Sequence, residues 1–333
     1  MTAARTQLDQ RDLAEAQRVV GAISEAFAAK VVGQENLRES LLIGLLSGGH
    51  ILVESVPGLA KTTAARVIAE SIHGGFRRIQ CTPDLLPSDI IGTQVYEAAT
   101  NSFVTQLGPV HTNIVLLDEI NRSSAKTQSA MLEAMEERQT TIAGTEYPIP
   151  EPFLVIATQN PVDQEGTYPL SEAQTDRFML KDVVHYPSAE QEVEVMFRID
   201  AGLYDKNHRS RPVADLEDVR RLQAVVRHVH MDRALMHYAS RLVAVTREPE
   251  QHLPAQYARL IEYGASPRAT IAFCAAARAL ALLDGRAHVL PGDVARLAHR
   301  VLRHRLILGF EAASANITPE AIIDAVLQAV RVP

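Results

Sequence analysis

Tryptophan is absent from this 333-residue chain and aromatic residues make up only 5% of it, so its core must rest on aliphatic side chains. Cysteine is scarce too. Cys81 and Cys274 stand far apart among apolar or small residues, which argues against a disulfide framework and fits reduced, packed thiols. No apolar run approaches the roughly 18 residues of a membrane helix; the longest covers residues 271–277. The first ten residues carry Arg5 and Asp9 with no apolar segment behind them, so no secretory signal is read and the cytoplasm is the expected compartment. Basic residues are in deficit, 33 against 40 acidic, for a net charge of −7. That balance argues against a protein whose main task is to bind a phosphate backbone. The deficit is also local, since residues 79–121 and 139–176 contain no Lys or Arg.

What is present is an ordinary globular composition, 47% hydrophobic and 22% charged, long enough for one large domain or two medium ones. Leu13, Ala16, Val20, Ile23 and Phe27 line one helical face and predict an amphipathic helix over residues 12–29. From residue 31 to 186 short β-rich runs alternate with helical stretches, the pattern of an α/β domain with a mainly parallel sheet. Strands are predicted at 50–54, 76–80, 114–118, 153–158 and 179–185, and helices at 35–47, 61–72 and 124–137. Residues 187–333 offer helices only, at 189–200, 215–229, 232–247, 267–284, 291–304 and 319–330. Ser188 with Gln191 is a capping-box signature, and Pro319 after Thr318 a first-turn proline. Loops are expected at 206–211 and 248–254.

The first strand runs into Glu54-Ser55-Val56-Pro57-Gly58-Leu59-Ala60-Lys61-Thr62-Thr63, a strand-loop-helix passage. In a phosphate-binding loop, backbone N–H groups and the helix N-terminus cradle the anion, a lysine reaches the outer phosphates, and a hydroxyl holds magnesium. Lys61 and Thr62 suit those roles. The general pattern has glycine where Ser55 and Ala60 stand, leaving Gly58 alone with free backbone permission. Lys61 is followed 57 residues later by Asp118-Glu119, at the end of the apolar run Ile114-Val115-Leu116-Leu117. A strand buried on both faces ends there in two carboxylates. One can hold a metal through water, and the other can take a proton from an attacking water. A further strand ends in Gln159-Asn160, placing a neutral polar side chain at the same sheet edge, where it could either position water or merely turn the chain before Pro161.

These residues bring a family into view: the chain resembles the MoxR group of AAA+ ATPases. The resemblance is carried by Val31-Val32-Gly33-Gln34, the loop from Val56 to Thr62, Thr82-Pro83-Asp84-Leu85-Leu86-Pro87-Ser88-Asp89, and Leu117-Asp118-Glu119-Ile120-Asn121-Arg122. It continues through Ala157-Thr158-Gln159-Asn160-Pro161, Glu165-Gly166-Thr167-Tyr168-Pro169-Leu170, Asp176-Arg177-Phe178 and Gly264-Ala265-Ser266-Pro267-Arg268-Ala269. Ala60 is usual in this family, whereas Ser55 replaces a common glycine, which bears on nucleotide affinity. The resemblance implies a parallel five-stranded ATPase core followed by an all-helical lid domain, with ATP and Mg2+ as cofactors. It implies a nucleotide-binding segment of Gly33, Gln34, Val56, Pro57, Gly58, Leu59, Ala60, Lys61, Thr62 and Thr63, with Thr62 and Asp118 on the magnesium side. It also implies that Glu119 is the base, Asn160 the sensor, Arg268 the lid arginine at the terminal phosphate, and Arg177 an arginine finger given to the neighbouring subunit. Arg122 is either a second trans contact or the partner of a nearby acid.

The same resemblance implies two β-hairpins pointing to the pore of a ring, one at 92–109 inserted in the second helix and one at 139–150. Neither contains Lys or Arg, which favours protein clients over nucleic acid. Tyr96, Phe103 and Tyr147 are read either as hairpin core or as a grip on polypeptide. Expected partners are further copies of the chain, in a hexameric ring, and a protein with a von Willebrand factor A domain. A nucleic-acid motor and a non-hydrolysing scaffold are the rival readings. Of the twelve histidines, His228 and His230 are closest, but two-apart neighbours on a helix diverge, so no metal site is read there. Arg296, Arg300, Arg303 and Arg305 are read as a solvated face or a subunit contact.

Overall fold

The computed structural model describes residues 8–161, 167–204 and 211–333. Residues 165 and 166 of the Glu165-Leu170 block, and residues 206–210 of the expected basic loop, lie outside those described. The chain begins with α1 (Gln10–Lys30) and α2 (Glu35–Ser47), then β1 (Ile51–Glu54), α3 (Lys61–Ser71), β2 (Phe76–Gln80) and α4 (Pro87–Ile91). A first hairpin, β3 (Gly92–Glu97) and β4 (Ser102–Leu107), precedes β5 (Ile114–Asp118) and α5 (Ala125–Glu137). A second, β6 (Gln139–Ile142) and β7 (Thr145–Pro148), precedes β8 (Leu154–Gln159), α6 (Glu172–Thr175) and β9 (Leu180–Val183).

The five-stranded sheet has the order β2-β5-β8-β1-β9, and β2, β5, β8 and β1 pair in parallel. Burial explains the order. All five residues of β5 and the first five of β8 are buried, whereas edge strand β2 exposes Arg77 and Arg78. Beneath the sheet, His50 meets the Phe153 ring edge-on at 5.4 Å, and the Arg138 guanidinium lies over that ring, 5.6 Å from its centroid. His50 accepts the Val155 N–H at Nδ1 (3.0 Å) and its Nε2 lies 3.2 Å from Met135 O. Burial, helped by the charge of Arg138, pushes the His50 pKa down to about 3, so the ring is neutral and donates from Nε2.

The first hairpin follows α4 and does not interrupt a longer helix. Gly92 ends α4 with φ 110, a conformation open to glycine, and an added Cβ would sit 2.4 Å from Gln106 O. After β4 the chain enters β5 without further helix. Tyr96 and Phe103 pair across the hairpin with centroids 5.5 Å apart, yet both remain more than half exposed. Thr105 and Tyr147 hydroxyls, 2.9 Å apart, tie the two hairpins together.

Beyond the sheet come α7 (Ala189–Asp200), α8 (Leu216–His228), α9 (Arg233–Arg247), α10 (Pro249–His252) and α11 (Ala255–Ala258). They are followed by β10 (Ile261–Tyr263), α12 (Pro267–Leu283), α13 (Pro291–Leu302), β11 (Ile307–Leu308), α14 (Phe310–Ser314) and α15 (Pro319–Ala329). The C-terminal part is therefore a helical lid with one addition to the all-helical expectation: β10 and β11 form an antiparallel ribbon. At three and two residues these strands are too short to show alternation. Among the described residues no helix is long and apolar enough to cross a membrane.

The compact units do not follow the expected division at residue 187. One comprises Val19–Leu170 with Asp182–Arg221; the other comprises Met1–Arg18, Ser171–Lys181 and Leu222–Pro333. The turn that carries Arg177 thus belongs to the same unit as α12. Arg300 and Arg305 correct the solvated-face expectation, being 9% and 6% exposed. Their helical spacing resembled a wet face; for Arg305 the burial is offset by partners remote in sequence.

Candidate functional site

Parallel pairing sets the ends of β1, β5 and β8 side by side: Glu54 stands opposite Gln159, and Leu117 opposite Ala157. Ser55, just past β1, donates its N–H to Gln159 O (3.1 Å), which places Asn160 next to the start of the loop. Asn160 is buried. The loop then turns through two left-handed positions, Gly58 (φ 88) and Ala60 (φ 56), before α3 begins at Lys61. A Cβ on Gly58 would meet nothing within 4 Å, so the loop presents its backbone outward. Ala60 occupies the N-cap position of α3 without a side-chain cap bond, leaving the leading N–H groups of Lys61, Thr62 and Thr63 available to an anion. Leu59 is buried and anchors the loop from below, while Val56 is half-buried and Pro57 exposed.

Lys61 Nζ donates to Ser55 Oγ and to Val56 O (3.1 Å). Burial pulls its pKa below the ordinary lysine value, and the charges of Asp118 and Glu119 act in the opposite direction. The loop cation and the strand-end acid pair therefore belong to one electrostatic site. Ser55, read from sequence as a departure from glycine, serves here as an acceptor for the lysine.

The acid pair is held by residues to which the sequence assigned no role. Thr158 Oγ1 donates to Asp118 Oδ1 (2.8 Å) and accepts the Glu119 N–H (2.9 Å). Glu119 itself is left-handed, φ 58, and this bond from its amide helps hold that conformation. Arg78 donates from Nε (3.0 Å) and Nη2 to Asp118 Oδ2. Glu119 Oε2 receives Arg122 Nη1 at 3.2 Å and Gln80 Nε2 at 3.4 Å. Arg122 is thus the partner of a nearby acid in this chain. Thr158, lying two positions before Asn160, could have been found from the pleat, since β8 places it level with the β5 carboxylates; Arg78 and Gln80 carried no such signal. Next to this network Cys81 is buried, its thiol pushed up to about 12, and both cysteines are free.

The structure brings Ser55, Lys61, Thr62, Asp118, Glu119 and Asn160 together in one unit. Gly33 and Gln34 lie in the same unit, where Gly33 (φ 70) backs onto Gln191 of α7. Arg177 and Arg268 lie in the other unit. Arg177 Nη1 donates to Ala173 O (2.6 Å), and Arg268 is the second helical residue of α12, its N–H donating to Ser266 Oγ (3.1 Å). An open backbone turn, a helix start, a lysine, a hydroxyl and a carboxylate are the donor set that a nucleotide phosphate with a hard divalent cation requires, so these residues fit that pair.

Comparisons with known proteins match both parts of the chain. The family described as "ATPase family associated with various cellular activities (AAA)" matches residues 50–180, and the AAA lid domain matches residues 257–326. The chaperone MoxR1 of Mycobacterium tuberculosis is 48% identical over 303 residues, covering 91% of this chain and 79% of that protein. The uncharacterised protein YeaC of Bacillus subtilis is 44% identical, covering 95% of each chain. A crystal structure of a candidate ATPase from Cytophaga hutchinsonii superimposes with a TM-score of 0.89 at 42% identity, covering 97% of each chain.

Proposed function

The chain belongs to the MoxR family of AAA+ ATPases, and from that membership we propose that it hydrolyses ATP with magnesium as a ring-forming remodelling factor for other proteins. The observation that carries this reading is the shared electrostatic field of Lys61, Asp118 and Glu119 at the edge of a parallel sheet, where strand ends serve ligand binding.

In this reading Lys61 binds the outer phosphates together with the backbone of the Val56-Pro57-Gly58-Leu59-Ala60 turn, and Thr62 and Thr63 receive the anion at the start of α3. Thr62 and Asp118 would hold magnesium, which would supply charge neutralisation for the transferred phosphoryl group. Glu119 takes the proton of the attacking water, and Asn160 orients that water. Gly33 and Gln34 flank the adenine. Arg268 reaches the terminal phosphate from the lid, and Arg177 is delivered to the site of the next subunit, a contribution worth roughly 10³- to 10⁵-fold in rate in phosphoryl-transfer enzymes. A lone subunit would lack the finger for its own site, so the working form is a ring, of six subunits in this reading.

Protein clients are supported by the two hairpins, which offer no Lys or Arg to a phosphate backbone, and by the chaperone name of a close relative. A von Willebrand factor A domain partner and a cytoplasmic location complete the proposal. The test is steady-state turnover against protein concentration, with subunit mixing. Lys61→Ala and Arg177→Ala chains should each be inactive and rescue one another when mixed. Glu119→Gln should retain ATP binding and lose about 10²-fold or more in turnover. Turnover of Glu119→Gln equal to wild type would remove Glu119 as the base, and absence of mutual rescue would remove the trans finger.

A further inference from the structure

Arg305 follows the last turn of α13 and its side chain is 2% exposed. All its N–H directions are used on one short piece of chain and its own helix: Nε to Asp176 Oδ1 (2.7 Å), Nη1 to Met179 O (3.2 Å) and Val301 O (2.6 Å), Nη2 to Phe178 O (2.7 Å) and Asp176 O (3.1 Å). His304 adds a ring contact to Phe178 O at 3.0 Å, and Thr175 Oγ1 donates to His304 O at 3.3 Å. The carbonyls immediately around Arg177 are therefore pinned to α13. The second carboxylate oxygen of Asp176 accepts from Ser266 Oγ (2.7 Å), and that same hydroxyl caps α12 by accepting the Arg268 N–H. One carboxylate thus joins the turn bearing Arg177 to the helix bearing Arg268.

A buried guanidinium is tolerated only when each donor is matched and an opposite charge stands beside it. Here four of the five matching groups flank Arg177, so shifting that turn against the lid would strand the charge. Turn and lid consequently move as one body, in keeping with their membership of one compact unit.

We propose that Asp176 is a positioning residue that locks the Arg177 turn to the α12 start through Ser266 and Arg305, so that the lid of one subunit sets where its finger meets the neighbouring site. This rests on the trans-finger reading above. A lid displaced by nucleotide in its own subunit would carry Arg177 with it, and misplacement by about 1 Å can cost on the order of 10²-fold in rate. Neighbouring sites would then be coupled through this carboxylate.

Changing Asp176 or Arg305 would leave the other charge buried and unpaired, so the test uses Ser266. The acceptor chain is Arg177→Ala, which keeps its own site but offers no finger. The donor is Lys61→Ala, whose own site is inactive and which contributes only its finger. Mixed-ring ATPase rates, normalised to donor content by native mass spectrometry, are compared for the donors Lys61→Ala, Lys61→Ala/Ser266→Ala and Lys61→Ala/Ser266→Thr. The expected result is that Ser266→Ala lowers rescue about tenfold and that Ser266→Thr, which keeps the hydroxyl, restores most of it. Because the donor's own site is already inactive, a cap effect on its Arg268 alone cannot produce that loss. Full rescue by the Ser266→Ala donor would overturn the proposal while leaving the trans finger intact. Failure of the simple Lys61→Ala donor to rescue would overturn the trans finger, and this proposal with it.

Discussion

Replacing Thr158 by valine removes one hydroxyl and changes almost no volume, which makes it a sharp probe of the acid pair. Thr158 is fully buried; its hydroxyl donates to Asp118 Oδ1 and accepts the Glu119 N–H. A hydrogen bond to a charged group contributes about 1.5–3 kcal/mol, and a buried amide left without an acceptor costs about 1–3 kcal/mol. The two effects share one atom, so their sum is not simply additive; a total of about 2–4 kcal/mol is expected from the structure. For a unit of this size each kcal/mol moves Tm by roughly 2–4 °C, giving a decrease of roughly 5–15 °C. Far-UV circular dichroism is the appropriate probe, because the chain has no tryptophan to report by fluorescence. Turnover should fall more than stability alone explains, since Glu119 loses the bond at its strained amide while the fold persists at assay temperature. Thr158→Ser should keep most of both. A Thr158→Val protein within about 1 °C of wild type and equally active would show that the hydroxyl neither supports the carboxylate nor fixes the Glu119 backbone.

The remaining predictions concern other parts of the same unit. His50 is held near pKa 3 in the fold against an ordinary value of 6.5, so the unfolded chain binds the extra proton and stability is lost as pH falls from about 6.5 toward 3. His50→Gln should flatten that loss in denaturation curves taken across the window, and an unchanged slope would acquit the residue. Ser55→Ala removes an acceptor that holds Lys61 in the loop; with roughly 0.5–1.5 kcal/mol of competing bond gone, a fluorescent ATP analogue should bind about 2- to 10-fold more tightly, and weaker binding would mean that Ser55 orients the lysine productively. Gly92→Ala must place a Cβ 2.4 Å from Gln106 O at φ 110, so proteolysis should open the first hairpin faster in this variant; equal cleavage rates would show that the hairpin junction can relax.

The sheet was largely legible because its strands announce themselves by what they lack. Residues 114–117 contain no polar group at all, and a four-residue run without one has to be covered on both faces, which only a central parallel strand achieves here. The predicted span 114–118 coincides with β5, and 76–80 with β2. The other strands deviate by one or two residues, where neighbouring backbone bonds rather than side chains decide the end. The placement of Asp118, Glu119 and Lys61 was legible for a related reason: a strand end and the loop beside it are written consecutively in the chain. Thr158 was harder, because its importance comes from the register between β8 and β5 and not from its own neighbours.

Arg305 shows why the lid was harder still. In one dimension a row of arginines at helical spacing is read as a face turned to water or to another subunit. Whether such a charge can instead be buried depends on whether five acceptors converge on it, and four of the five that meet Arg305 come from residues 176–179, more than 120 positions earlier. No pattern within α13 encodes that convergence. Asp176 carries the complementary half of the information, yet nothing in the residues beside it marks that role. The physical requirement for a buried guanidinium to be fully matched therefore acts across the chain: it ties the turn bearing Arg177 to the end of α13, and both fall in the same compact unit.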